Sequence, residues 1–370
     1  MRKHIQITLS AVAFLLTSFT ASAQEQISEI FKAGVADVGY LANGYLKPAG
    51  VGFATGLGSN WYNTAATHGV LGFDLTLGVS ASLVPTSDQT FSLSGLTTLS
   101  PKTGDIPTFG GSGAGTTLQL LQPNTIDVNG STIPNPKAGQ LITTLTTPKG
   151  MTKYIPSANI QLGIGLPLGT DITVRYTPDV NVKGMDVGLW GVGIKHDIKQ
   201  WIPVVNMLPF DASVMVAYSK FKLNYAFEKQ LSYTQLGDPS MVKAPAADLS
   251  ANQGFGIEAD ALMANFILSK KFLFFTPYIG TGLTKTSFNV NFAGVFPMLG
   301  APITTPGADL GKLTVQYLDS EKLPKVSYSE TMLGTTIGFR LKFLMVVAMH
   351  AQYTFQKYPT ASVGFGINFR

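Results

Sequence analysis

Nine ionisable side chains fall at alternate positions of short segments whose other positions are largely apolar: Asp74, Asp171, Arg175, Lys195, Glu258, Asp260, Arg340, Lys342 and His350. A two-residue period puts such groups on one face of a strand, so charges of both signs gather on a common wet surface. Acids and bases arranged this way pair with one another, line a water path or bind a polar solute. Glu258 and Asp260 share one face two residues apart, the spacing of a cation or polar-headgroup site that Arg340 opposes. Catalysis finds no such footing. His68, His196 and His350 sit in no metal-ligand spacing and in no recognisable nucleophile motif, so neither an enzyme nor a metal site is expected.

The elements that must position these groups are strands. From Leu71 to Leu83 every odd residue is apolar and every even one is small or polar, with Asp74 on the polar side. One face meets lipid or a core, and the other meets water. The pattern recurs at Asn159 to Leu166 and Asp171 to Thr177, then at Asp186 to Ile198, Phe210 to Glu228, Gln253 to Lys270, Phe274 to Phe292, Leu333 to Phe343, Met345 to Phe355 and Ala361 to Arg370. With weaker candidates at Val51 to Asn63 and Thr90 to Thr98, the expectation is an all-β transmembrane antiparallel barrel of about twelve strands, ten or fourteen being the alternatives. Around Tyr218 the apolar parity switches, which a β-bulge explains. Aromatic residues near strand ends, Trp61, Tyr62, Phe272, Phe274, Tyr353 and Phe369 among them, read as interfacial girdles.

Composition and address agree with a barrel. The chain is 45% hydrophobic and only 13% charged, against roughly 25% charged in soluble domains. It has no cysteine, which removes disulfides and thiolate metal sites, and no cofactor motif. A net charge of +5 is too small an excess to argue for nucleic acid. Met1 to Ala23 reads as a signal peptide with a basic start, an apolar stretch and an Ala-Ser-Ala cleavage site, so export to the outer membrane is expected. Beyond it, no run approaches the roughly 18 apolar residues of a spanning helix.

The segment after the leader has another period. Ile27, Phe31, Val35 (or Gly34), Val38, Leu41 and Tyr45 recur at steps of three and four, which predicts an amphipathic helix from Glu25 to Tyr45 ended by Pro48. Such a helix must dock, and the lumen is the place for it. Residues 24–50 are therefore read as a helical plug and 51–370 as the barrel, with long outer loops at 101–156, 229–252 and 293–331.

The C-terminal segment Ala361 to Arg370 is similar to the closing strand of Gram-negative outer-membrane barrels, with Arg370 following the aromatic Phe369. Gly58 to Ala65, His68 and Leu71 to Leu75 resemble an uncharacterised family of Bacteroidota outer-membrane proteins. A more distant resemblance is to FadL-type transporters of hydrophobic compounds: Asn63-Thr64-Ala65 stands where those carry Asn-Pro-Ala, and Asn159 to Arg175 looks like their paired strands. The proline is missing here, and FadL-type barrels have fourteen strands. That likeness implies an N-terminal hatch containing Val51 to Asn63 and a wall beginning at Leu71.

Two functions follow as expectations. One is a passive channel or FadL-like transporter for hydrophobic or amphipathic small molecules, gated by the N-terminal helix. The other is a surface-anchored barrel that binds a protein partner through its outer loops. Lipid of the outer membrane is a partner in both.

Overall fold

The computed structural model describes residues 29–182, 184–202, 209–343 and 346–369. The predicted leader and Ile27 lie outside the described residues. Ten strands form the wall: β1 (Phe73–Leu83), β2 (Tyr154–Leu166), β3 (Thr170–Val182), β4 (Met185–Asp197), β5 (Asp211–Ala226), β6 (Ala251–Ser269), β7 (Phe275–Pro302), β8 (Val326–Phe343), β9 (Val347–Phe355) and β10 (Thr360–Phe369). Each pairs antiparallel with the next, and β10 pairs with β1, Phe369 opposite Phe73, so the sheet closes on itself. Closure leaves the wall without an edge.

Ten, one of the two expected alternatives, takes the place of twelve. Val51 to Asn63 is no strand, and Thr90 to Thr98 lies outside the wall, where Thr90–Ser92 pairs with Asp105–Pro107. At one end of the barrel the connections are short, as at 167–169 and 270–274. At the other end residues 84–153, 227–250 and 303–325 fold over the mouth. These segments carry a small three-stranded sheet of Leu99–Ser100, Thr117–Leu121 and Leu141–Thr146. They bury Leu93, Ile106, Leu118 and Leu145 in a common core with the upper wall, so they form a cap. The predicted loop 293–331 is shorter, because β7 continues to Pro302 and pairs beyond the ring with Leu313–Leu318.

Apolar side chains stand exposed on the outside of all ten strands, Leu75, Leu162, Val174, Val192, Val216, Leu262, Ile279, Ile337, Met349 and Phe365 among them. A continuous exposed belt of this kind suits lipid rather than water. Higher on the wall the chemistry of the two faces exchanges. On β5, Val214 and Val216 point out below, whereas Lys220 and Lys222 point out above, with Phe221, Leu223 and Tyr225 inside. The register of β5 with β4 and β6 runs through without a shift, so the expected bulge at Tyr218 is absent. The parity never changed; the surroundings did.

Inside lies α1 (Gly34–Gly58), which passes through Pro48 instead of ending before it. The expected helix was thus placed too early, and Val51 to Gly58 belongs to α1. Proline and glycine are poor helix residues, so intrinsic propensity argues against this element. Enclosure by the wall overrides it. A β-carbon at Gly50 would stand 2.2 Å from the Phe288 ring, and one at Gly56 would stand 2.3 Å from Ser157 Oγ. Only glycine lets the helix backbone come this near. Residues 59–72 continue down the lumen, turn at Leu71 (φ 64°) and enter β1.

Candidate functional site

At the lower end of α1 the last carbonyls need donors, because they have no intrahelical partner. Arg175, fully buried on β3, supplies them. Its Nη1 donates to Leu57 O and its Nη2 to Ser59 O, both at 2.8 Å, and its Nε donates to Gln161 Oε1 at 3.0 Å. The guanidinium also lies 3.8 Å from the Trp61 ring centroid. A planar fork with rigidly placed donors does this where a lysine could not. Arg175 is thus the clamp on the C-terminus of the plug.

Below it, His68 joins the 59–72 segment to three strands. Its backbone N–H donates to Asp171 Oδ1 at 2.9 Å, and its Nδ1 lies 3.0 Å from Asp171 Oδ2. Lys342 donates to Asn368 Oδ1, which leaves Asn368 Nδ2 to donate to His68 Nε2 at 2.8 Å. The tautomer follows: neutral His68 carries its proton on Nδ1 and gives it to Asp171. Lys195 completes the knot, 3.1 Å from Asp171 Oδ2 and donating to Ala66 O. Asp74 approaches the other ring edge at 3.7 Å. The two carboxylates address opposite edges of the imidazole, and among the described residues no group of three or more such side chains could hold a metal ion. Halfway up, His350 on β9 hydrogen-bonds Asn60 Oδ1 and is the register partner of Arg340.

The upper part of α1 is held differently. Phe31, just before it, stacks on Phe296 at 4.4 Å, and Val38, Leu41 and Tyr45 are buried. Polar ties cross this packing: the Tyr40 hydroxyl donates to Ser92 O at 2.6 Å, the Tyr45 hydroxyl donates to Lys149 O at 3.0 Å, and Asp37 makes the densest set. Asp37 accepts backbone N–H donors from Thr97, Thr98 and Leu99 and the hydroxyls of Thr97 and Thr98, at 2.7 to 2.9 Å. Burial pushes its carboxyl up, but the hydrogen bonds outweigh burial and hold it below the ordinary value. Beside this tie an outward cleft of about 840 Å³ is lined by Ala33 to Ala36, Leu121, Leu299, Pro302 and Lys102, with Val35 exposed into it.

Asp74, Asp171, Arg175, Lys195, Arg340, Lys342 and His350 therefore face the lumen, whereas Glu258 and Asp260 do not. Their strand parity puts both on the outside, opposite Lys222 and Lys220, with Glu258 3.1 Å from Lys220 and 3.5 Å from Lys222. The expected cation site facing Arg340 does not form. Above the belt, charge belongs outside and apolar side chains belong inside, the reverse of the lower wall. Of the plug stripe, Phe31, Val38, Leu41 and Tyr45 are buried while Val35 meets the cleft. Trp61 and Tyr62 are lumenal, not part of a girdle, because the segment that carries them never joins the wall. Asp37, Asn60, Gln161 and the pairing of His68 went unread. Asp37, Asn60 and His68 lie outside the alternating segments, and Gln161, although within one, is uncharged, so only the position of the plug reveals their roles.

The family model described as a family of unknown function (DUF6588) matches residues 1–369, and the chain belongs to that family. No curated protein matches it. Among solved structures it is similar to the attachment invasion locus protein Ail of Yersinia pestis, at 7% identity and a TM-score of 0.25 over 81% of this chain and 99% of that one. It is also similar to the translocator domain of the autotransporter NalP from Neisseria meningitidis, at 9% identity and 0.28 over 82% and 90%. The outer membrane protease OmpT from Escherichia coli aligns at 6% identity and 0.26 over 84% and 97%. At such scores these likenesses carry no argument about activity, and the barrel is established by the strand pairing of this chain itself.

Proposed function

We propose that this member of the family is an outer-membrane barrel that admits hydrophobic or amphipathic small molecules and is closed at rest by its N-terminal plug. The observation that carries the reading is the cleft: its floor is Ala33 to Ala36, the first turn of the plug itself. A ligand seated there touches the gate. The apolar lining with a few polar groups and one lysine on the rim suits an amphipathic guest. The belt of exposed apolar side chains and the polar lower lumen support a location in the outer membrane, and the resemblance to Bacteroidota and FadL-type barrels read in the sequence belongs to the same proposal. Catalysis forms no part of it. His68 and His350 are tied into plug contacts, and His196 hydrogen-bonds Thr170 and Trp201.

A reversible lock tests the gate. A β-carbon built at Gly34 lies 3.8 Å from that of Leu299, within the roughly 3.5–4.5 Å that a disulfide needs. Gly34 has φ +74°, so a cysteine there costs about 1 kcal/mol of backbone strain. The chain has no other cysteine to interfere. In liposomes the reduced G34C/L299C protein is expected to take up an amphipathic dye and the oxidised protein to exclude it. Full uptake by the oxidised form removes the plug as gate. Uptake by neither the variant nor the unmodified chain removes transport, and favours the second reading, in which the ordered cap binds a surface partner.

A further inference from the structure

The two sides of α1 meet different walls. Toward β5, β6 and β7 the seat is largely apolar along the helix, and Ser219 on β5 has a partner, its Oγ donating to Leu57 O at 3.3 Å. Phe53 packs edge-on against Phe221 at 4.7 Å, the Gly50 backbone lies under Phe288, and Ala259 and Ala261 are fully buried. Toward β10, β1 and β2 the wall offers hydroxyls and an amide. Ser157, Ser80 and Ser362 are register partners across three adjacent strands and form one row, and Asn159 lies opposite Gly78 in the rung below.

Each of these four side chains is at least 95% buried. The Oγ atoms of the three serines and Oδ1 of Asn159 have no hydrogen-bond partner among the described residues. A buried polar atom without a partner is costly, and buried polar groups in proteins are otherwise almost always paired, with protein or with water. Four on one face mark this as the weak side of the plug's seat and the side that gains most from wetting. Below the row, the same face continues through Thr76 and Gln161 to Asp74 and Asn368 at the short-turn end. One rung above it Ser82 and Thr360 hydrogen-bond each other at 3.0 Å, and beside and beyond them Val51, Val84, Ile155, Met332 and Tyr358 pack into an apolar cluster that closes the column.

We propose that the solute route is this seam: α1 parts from β10, β1 and β2, water and solute follow the serine row, and the cluster around Tyr358 is the gate at its upper end. The proposal rests on the transport reading and narrows its cargo. A route walled by hydroxyl and amide groups takes molecules that hydrogen-bond, polar-headed amphiphiles included, and disfavours bare hydrocarbons, because the wall groups stay unpaired against a hydrocarbon.

The absence of cysteine makes the seam addressable. Full-length Ser80→Cys and Ser362→Cys proteins in liposomes are treated with a cationic, membrane-impermeant methanethiosulfonate, beside Ala259→Cys and Ala261→Cys on the apolar side. Seam cysteines are expected to react at least about tenfold faster, since labelling follows local opening. Equal or slower reaction at the seam overturns the route. Uptake measured on the same liposomes separates the two claims: uptake with an unlabelled seam leaves transport standing and sinks the route, while a labelled seam without uptake of any solute sinks both. Should a cysteine variant fail to fold, as judged by heat-modifiable gel migration, the S80A/S362A double variant replaces it. Its uptake of a hydroxyl-bearing solute is expected to fall severalfold with no loss of unfolding resistance. Unchanged uptake overturns the proposal.

Discussion

The two ends of the plug are fastened by opposite kinds of chemistry. At the short-turn end, residues 57–68 are held by directional contacts: a buried guanidinium on two carbonyls, and an imidazole fixed between Asp171 and Asn368. At the cap end, the first half of α1 is held mainly by apolar packing, with hydrogen bonds from Asp37, Tyr40 and Tyr45 to the cap segments. Hydrogen-bonded charge fixes position because it fails when displaced by an ångström, whereas apolar contact tolerates sliding. The difference teaches that the lower end is an anchor, whereas movement of the upper end, which the transport proposal requires, must break the Asp37 contacts but can otherwise slide on apolar packing.

The comparison can be broken most forcefully at the anchor. Arg175→Met leaves Ser59 O and Gln161 Oε1 without this donor and Leu57 O with only the longer bond from Ser219 Oγ, and is expected to cost on the order of 4 kcal/mol. The urea midpoint of heat-modifiable migration reads this loss. A cost under 1 kcal/mol means that the anchor is elsewhere. Phe31→Ala at the other end opens a cavity against Phe296 and is expected to cost about 3 kcal/mol. Unlike the first variant, it should raise basal dye leakage, because it loosens the end that carries the cleft. Equal leakage from both variants erases the distinction between the ends.

A smaller effect sharpens the comparison through pH. The Asp37 carboxyl is held below its ordinary value when folded, so its contribution is complete above the unfolded value near 4 and is lost as pH falls through the folded one. Asp37→Asn is expected to cost about 1–2 kcal/mol at pH 7 and to flatten the fall in thermal stability below pH 4. A variant that keeps the full acid dependence shows that other groups produce it. The smallest effect is expected from Glu258→Gln on the outside: an exposed pair is worth about 0–1 kcal/mol, and uptake should not change. A loss of uptake would place Glu258 in the route after all.

Much of the wall was legible in the sequence, because alternation is a local signal. Phe73, Leu75 and Leu77 face outward and Thr76 inward as their parity says. What alternation cannot report is which medium each face meets. Glu258 and Asp260 therefore read as lumenal and the apolar switch beyond Tyr218 reads as a bulge, although their strands are found. The helix was seen only where its apolar stripe is strong. Its lower half, rich in glycine, hides its period because the close approach of Gly50 and Gly56 replaces side-chain burial. The clamp of Arg175 on Leu57 and Ser59 spans more than a hundred residues of chain, a separation at which no spacing rule operates.

The exchange of faces along β4, β5, β6 and β7 also fixes how high the molecule rides in its bilayer. One rung of a strand is two residues, or about 7 Å. Sinking by that much brings Lys220 and Asp260, one rung above Leu262, to the hydrocarbon edge, where a lysine costs up to about 1 kcal/mol and rises steeply with depth. Rising by the same amount lifts Val216, Leu262 and Leu283 into water. The chain thus carries a waterline in its own sequence, and a thinner or thicker membrane must bend to meet it.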